Sequence, residues 1–191
     1  MSRGVRRALL RVTALAVAVV LLWRGVSGAT SAAHDFTLTD HDGQRFDLAS
    51  QRGKVVLVFF GYSQCPDVCP TTLSKLSSVA RRLGEQQSGM TVAYVSVDPE
   101  RDTPSVLKAD LGNFDLEAVG LTGTREEVDR VVRQYGAQYE IVPAPESAAR
   151  YMVSHTTSLY VIDRAGRLVE ELDYEATVDE VAAVVRRLLT P

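Results

Sequence analysis

The chain has two cysteines, four positions apart in Gly61-Tyr62-Ser63-Gln64-Cys65-Pro66-Asp67-Val68-Cys69-Pro70. Thiols this close allow three chemistries. A structural disulfide would close only a five-residue ring, which removes little chain entropy. A thiol–disulfide redox pair uses the same atoms, but its usual spacing is Cys-x-x-Cys, one residue shorter. Two thiolates are also a soft ligand set that suits Cu(I). Structural zinc normally takes four protein ligands, and two cysteines with three histidines do not easily supply them. Peroxide chemistry would use one activated thiol and a resolving partner, a poorer fit to two cysteines in one turn. Metal and redox chemistry both remain open at this point.

Local sequence favours reactive thiols. Residues at i and i+4 share a face wherever the backbone is helical. A helix N-terminus stabilises thiolates beside it. Pro66 and Pro70 stiffen the turn and remove two backbone donors. Asp67, between the thiols, reads as a helix cap. A third ligand would favour the metal, and His155 is the best candidate. It precedes an apolar strand, in a loop that the fold below can bring beside the cysteines. His34 and His41 read as solvated loop residues, and Met152 as packing.

The elements that must position these groups follow from periodicity. His34–Leu38 and Arg45–Leu48 alternate polar and apolar around Asp42-Gly43, a hairpin signal. Val55–Phe60 is a continuous apolar strand, the pattern of a sheet buried on both faces. A helix follows Pro70, with Leu73, Leu76, Val79, Ala80 and Leu83 on one face, and then a strand from Met90 to Val97. This β-α-β unit predicts a parallel pair with a right-handed crossover. Thr103 and Pro104 start a second helix, and Val119–Leu121 is a short strand. Thr124–Glu127 and Thr177–Glu180 are capping boxes that open two more helices. Tyr139–Val142 reads as a strand and Ala144–Arg150 as a polar loop. Thr157–Ile162 and Leu168–Leu172 form a hairpin. This order predicts an α/β, thioredoxin-like fold. A central mixed sheet is flanked by helices, with an extra N-terminal β-hairpin and an inserted hairpin. The cysteine loop then lies at the carboxyl end of a central strand, where such sheets place their sites.

The totals bound partners and compartment. At 191 residues, 46% of them hydrophobic and 24% charged, the chain suits one globular domain plus an extension. A formal charge of -3 gives no basic footprint, which argues against a nucleic-acid partner. The extension is residues 1–33. Arg3, Arg6, Arg7 and Arg11 precede an apolar run from Val12 to Trp23, followed by small residues at Ser27-Gly28-Ala29 and Ser31-Ala32-Ala33. This reads as a single N-terminal membrane anchor, with cleavage and secretion as the alternative. Residues 34–191 would then lie on the extracytoplasmic, periplasmic side. There a cysteine pair needs a reason to stay reduced.

Three blocks together resemble the Sco/SenC family of copper chaperones. They are Gly61–Pro70, Val97-Asp98-Pro99-Glu100-Arg101-Asp102-Thr103-Pro104 and Tyr151-Met152-Val153-Ser154-His155-Thr156. Order and spacing agree over about Ala33 to Leu189. The resemblance implies a thioredoxin-like domain that binds one copper ion, as Cu(I) or Cu(II), through Cys65, Cys69 and His155. It implies a membrane-tethered metallochaperone rather than an enzyme. Its partner would be the CuA domain of cytochrome c oxidase subunit II, along with other copper chaperones or thiol reductases. The alternative it carries is a thiol-disulfide oxidoreductase acting on the CuA cysteines or on other exported thiols. Ser63 stands where threonine is common in the family, at a position that is not a ligand.

Overall fold

The computed structural model describes residues 34–190. The expected anchor, its cleavage sites and its basic flank fall outside them. Among the described residues no helix is long and apolar enough to cross a membrane.

Among the described residues nine strands form: β1 (Thr37–Asp40), β2 (Arg45–Asp47), β3 (Val55–Gly61), β4 (Met90–Ser96), β5 (Ala118–Thr122), β6 (Tyr139–Pro143), β7 (Tyr151–His155), β8 (Leu159–Ile162) and β9 (Leu168–Leu172). The α-helices of the described residues are α1 (Val68–Leu83), α2 (Pro104–Leu111), α3 (Arg125–Gln134) and α4 (Val178–Leu189). A seven-stranded sheet runs β2-β1-β5-β4-β3-β8-β9, and β6 and β7 make a separate two-stranded sheet. β3, β4 and β5 are parallel, whereas β1, β2, β8 and β9 add antiparallel pairings. This is the mixed, helix-flanked sheet that the element order predicts.

β3 is an interior strand of the sheet, between β4 and β8, and all seven of its residues are buried. Its side chains alternate between two cores. Val55, Leu57 and Phe59 pack with Leu73 and Leu76 of α1, Leu107 of α2 and Val181 of α4. Val56, Val58 and Phe60 pack with Val128, Val131 and Val132 of α3 and with Phe36 and Phe46 of the N-terminal hairpin. Each fully buried leucine contributes roughly 2 kcal/mol, which holds the strand ends at fixed positions. Helix starts follow the sequence signals. Thr103 caps α2, and Thr124 and Thr177 form complete capping boxes.

One expected loop is a strand. Tyr151–His155 pairs antiparallel with β6, with His155 opposite Tyr139. Alternation in Tyr151-Met152-Val153 is too short to reveal a strand whose partner lies across the polar 144–150 segment.

Candidate metal centre

β3 ends at Gly61 and the chain turns at once, with the Cys65 amide donating to the Tyr62 carbonyl at 3.1 Å. Helix α1 starts three residues later, so Cys65 lies just before it and Cys69 in its first turn. Asp67 occupies the N-cap position, but its carboxylate accepts no bond from the helix backbone. The expected cap is therefore not made. The cap residue's backbone torsions, φ -142° and ψ -70°, are not those of an ordinary cap.

Both cysteines are free thiols, Cys65 half-buried and Cys69 buried. His155 reaches them from the end of β7. Its Nε2 lies 3.6 Å from Cys69 Sγ. Its Nδ1 lies 2.9 Å from the Thr156 carbonyl, which can only accept. Nδ1 therefore carries the proton in the neutral ring, and Nε2 presents its lone pair to the sulfur. The Tyr62 ring stands edge-on to the imidazole at 5.9 Å, and the Tyr62 hydroxyl accepts from the Val153 amide. The two sulfurs and the imidazole nitrogen lie within 4.8 Å of one another. Two soft thiolates and one imidazole suit Cu(I), so the donor set fits a copper ion. Gly61 makes room for the Cys69 sulfur. A Cβ there would sit 2.6 Å from Cys69 Sγ and 2.8 Å from Tyr94 Cε2.

The two thiols share one proton. The hydrogen bond from Cys69 is the main cause that pulls Cys65 down, to about 4, and burial works against it. The backbone amides of Asp67 and Cys69 help. Cys69 moves far up, first because it keeps the proton it gives to Cys65 and then because it is buried. The thiolate and the outer position belong to the same residue, Cys65.

The Val97–Pro104 block braces the site, as a structured, partly salt-bridged loop. Asp98 and Asp102 are fully buried. Asp102 accepts from the Ser63 amide at 3.0 Å and from the Ser63 and Ser96 hydroxyls. Burial raises its pKa, against the hydrogen bonds from Ser63 and Ser96, which lower it. Asp98 pairs with Arg101 and accepts from the Tyr151 hydroxyl at 2.8 Å. Arg101 Nη1 donates to the Gln64 side chain and to the Ala149 and Tyr151 carbonyls, each at 3.1 Å. Its guanidinium lies over the Tyr151 ring at 3.7 Å and over Tyr62 at 5.6 Å. Arg101 thus ties the cysteine loop to the hairpin that carries His155.

The other histidines stand apart from the cluster. His41 is not simply solvated, because its Nδ1 accepts from the Gly120 amide at 3.0 Å. The His34 ring stands edge-on to Tyr135 at 5.4 Å, and the His34 carbonyl accepts from the Tyr135 hydroxyl. His41 thus ties the β1–β2 turn to β5, and His34 ties the start of the described chain to the end of α3. Met152 is a half-buried residue of β7.

The family profile described as SCO1/SenC matches residues 25–190. The chain belongs to this family. The Bradyrhizobium japonicum ScoI structure, solved with copper bound, superposes with a TM-score of 0.75 at 39% identity. That match covers 81% of this chain and 98% of ScoI. The mitochondrial SCO1 homolog of Homo sapiens is 35% identical over 158 residues, 82% of this chain and 52% of the human protein. The SCO2-like protein RP587 of Rickettsia prowazekii is 32% identical over 146 residues, 76% of this chain and 71% of its own length. Sco structures also share the mixed, helix-flanked sheet described above.

Proposed function

We propose that this Sco-family chain binds one copper ion through Cys65, Cys69 and His155 and delivers it to the CuA centre of cytochrome c oxidase subunit II. One observation carries the reading: two sulfurs and an imidazole nitrogen converge within 4.8 Å at the end of the central strand. Copper in the ScoI relative supports the choice of metal. A half-buried Cys65 supports delivery, since an ion that must be handed on needs an accessible ligand through which exchange can start. Residues 1–33 tether the copper-binding domain, 34–191, on the extracytoplasmic side of the membrane, beside the oxidase. Full-length chain is then retained in carbonate-washed membranes, and recovery in the wash would count against the tether.

Copper stoichiometry with X-ray absorption on the purified protein tests the site. One copper per chain with two sulfurs and one nitrogen in its first shell is the expected result. Four sulfurs, reached by bridging two chains, would overturn a mononuclear centre.

A second reading rests on the unequal thiols. A Cys65 thiolate can attack a target disulfide and form a mixed disulfide with it. Cys69, once deprotonated, then displaces the second target sulfur and closes the Cys65–Cys69 bond. Two electrons pass to the target, and the CuA cysteines are one candidate. In the metal-free protein at pH 6, iodoacetamide is expected to modify Cys65 more than about tenfold faster than Cys69, because only the thiolate reacts. Acidifying toward pH 4 protonates Cys65 and slows the reaction. Equal rates at the two cysteines would remove the basis of this reading.

A further inference from the structure

Tyr94 presents a buried polar atom that the fold does not use. It lies on β4 with no exposed surface. Its ring stacks on Phe59, with centroids 4.7 Å apart and planes 6° from parallel. A phenylalanine would serve that stacking equally well. Among the described residues its hydroxyl has no hydrogen-bond partner, and a hydroxyl is costly to bury unpaired. The missing Cβ of Gly61 shows what the ring lies beside. Cys69 Sγ lies 2.6 Å from that position, with Tyr94 Cε2 at 2.8 Å and Cζ, which bears the hydroxyl, at 3.5 Å. Tyr94 also favours the thiolate form of Cys69. The Cζ end of the ring and the Cys69 sulfur thus crowd the same point beside Gly61.

We propose that Tyr94 is a positioning residue for Cys69, and that its hydroxyl donates a hydrogen bond to the Cys69 sulfur when that sulfur binds copper as a thiolate. This rests on the copper reading above. Metal binding releases the thiol proton and turns the sulfur into a strong acceptor. The hydroxyl that is unpaired in the metal-free protein gains a charge-assisted bond in the loaded one. The bond withdraws electron density from the sulfur and holds it against β3. Hydrogen bonding around a ligating cysteine tunes the metal in this way. The effect is larger for Cu(I), which leaves more negative charge on its ligands than Cu(II) does.

Comparison of the full chain with its Tyr94→Phe variant tests the assignment. The metal-free variant is expected to melt at the wild-type temperature or above it, since it loses only an unpaired hydroxyl. Cu(I) affinity, read by competition with a chromophoric Cu(I) chelator, falls about tenfold. Cu(II) affinity falls less, and the sulfur-to-Cu(II) charge-transfer band moves to lower energy. Unchanged affinity and an unchanged band in a variant with the two-sulfur, one-nitrogen shell overturn this inference and leave the functional reading intact. A metal-free variant that melts lower than wild type also overturns it, because the hydroxyl would then serve the fold. A wild-type chain that binds no copper overturns the functional reading and this inference with it.

Discussion

A His155→Ala variant is expected to hold copper more than about 100-fold less tightly than wild type while its dithiol still reduces a disulfide. The lower bound comes from partners that only support a metal ligand, whose loss already costs about 10–100-fold. Removal of a direct donor costs more. The imidazole is held at the end of β7, with Nε2 3.6 Å from Cys69 Sγ, and no other histidine belongs to the cluster. His41 is committed to the Gly120 amide, and the His34 ring packs on Tyr135. The two thiols stay in place, because β3 and α1 carry them and the substitution removes only the imidazole. Copper affinity by chelator competition and reduction of a small disulfide measure the two halves of the prediction. A variant that holds copper as tightly as wild type would remove His155 from the ligand set. A variant that loses both activities would show that the imidazole organises the thiols as well.

Arg101→Gln is expected to cost more stability than most single changes and to weaken copper binding at a distance. Asp98 is fully buried and pairs with this guanidinium, whose side chain is 15% exposed. Removing one partner of a buried ion pair leaves the other charge uncompensated, at a cost of about 3–5 kcal/mol. For a domain of this size that lowers the melting temperature by roughly 10 °C. The same residue joins Gln64, next to Cys65, to the backbone of Ala149 and Tyr151 at the start of the His155 strand. Arg101→Lys separates the two roles. Lysine keeps a charge for Asp98 but lacks the planar fork that reaches three acceptors. It should recover much of the stability and less of the copper affinity. A lysine variant with both wild-type stability and wild-type affinity would show that the strap does not position the site.

Much of the fold was legible in the sequence. The apolar run Val55–Phe60 predicts a strand covered on both faces, and the two cores on either side of β3 bear this out. Capping boxes at Thr124 and Thr177 marked helix starts because their signal is local, a side chain and a backbone amide three residues apart. Tyr151–His155 was not legible as a strand, since its only ladder partner is β6, across a polar loop. Asp67 was misread for a related reason. Its residue type suits a cap, but tertiary packing of the cysteine turn gives it torsions that prevent the bond.

For the site, residue type and order alone determined which groups could bind a soft metal. Cys65, Cys69 and His155 stand out from composition, spacing and their three flanking blocks, without any coordinate. Only the tertiary structure decided how those groups meet and which of them differ. It brings an imidazole 86 residues away in sequence to 3.6 Å from a sulfur. It makes Cys65 the thiolate and Cys69 the proton holder, an inequality that comes from burial and from one shared hydrogen bond. It places Arg101 across both halves of the site and sets the Tyr94 ring beside Gly61 and Cys69. The division has a physical cause. Ligand chemistry is a property of single side chains and can be read residue by residue. Distance, burial and the direction of a hydrogen bond are properties of the packed chain, and no local pattern encodes them.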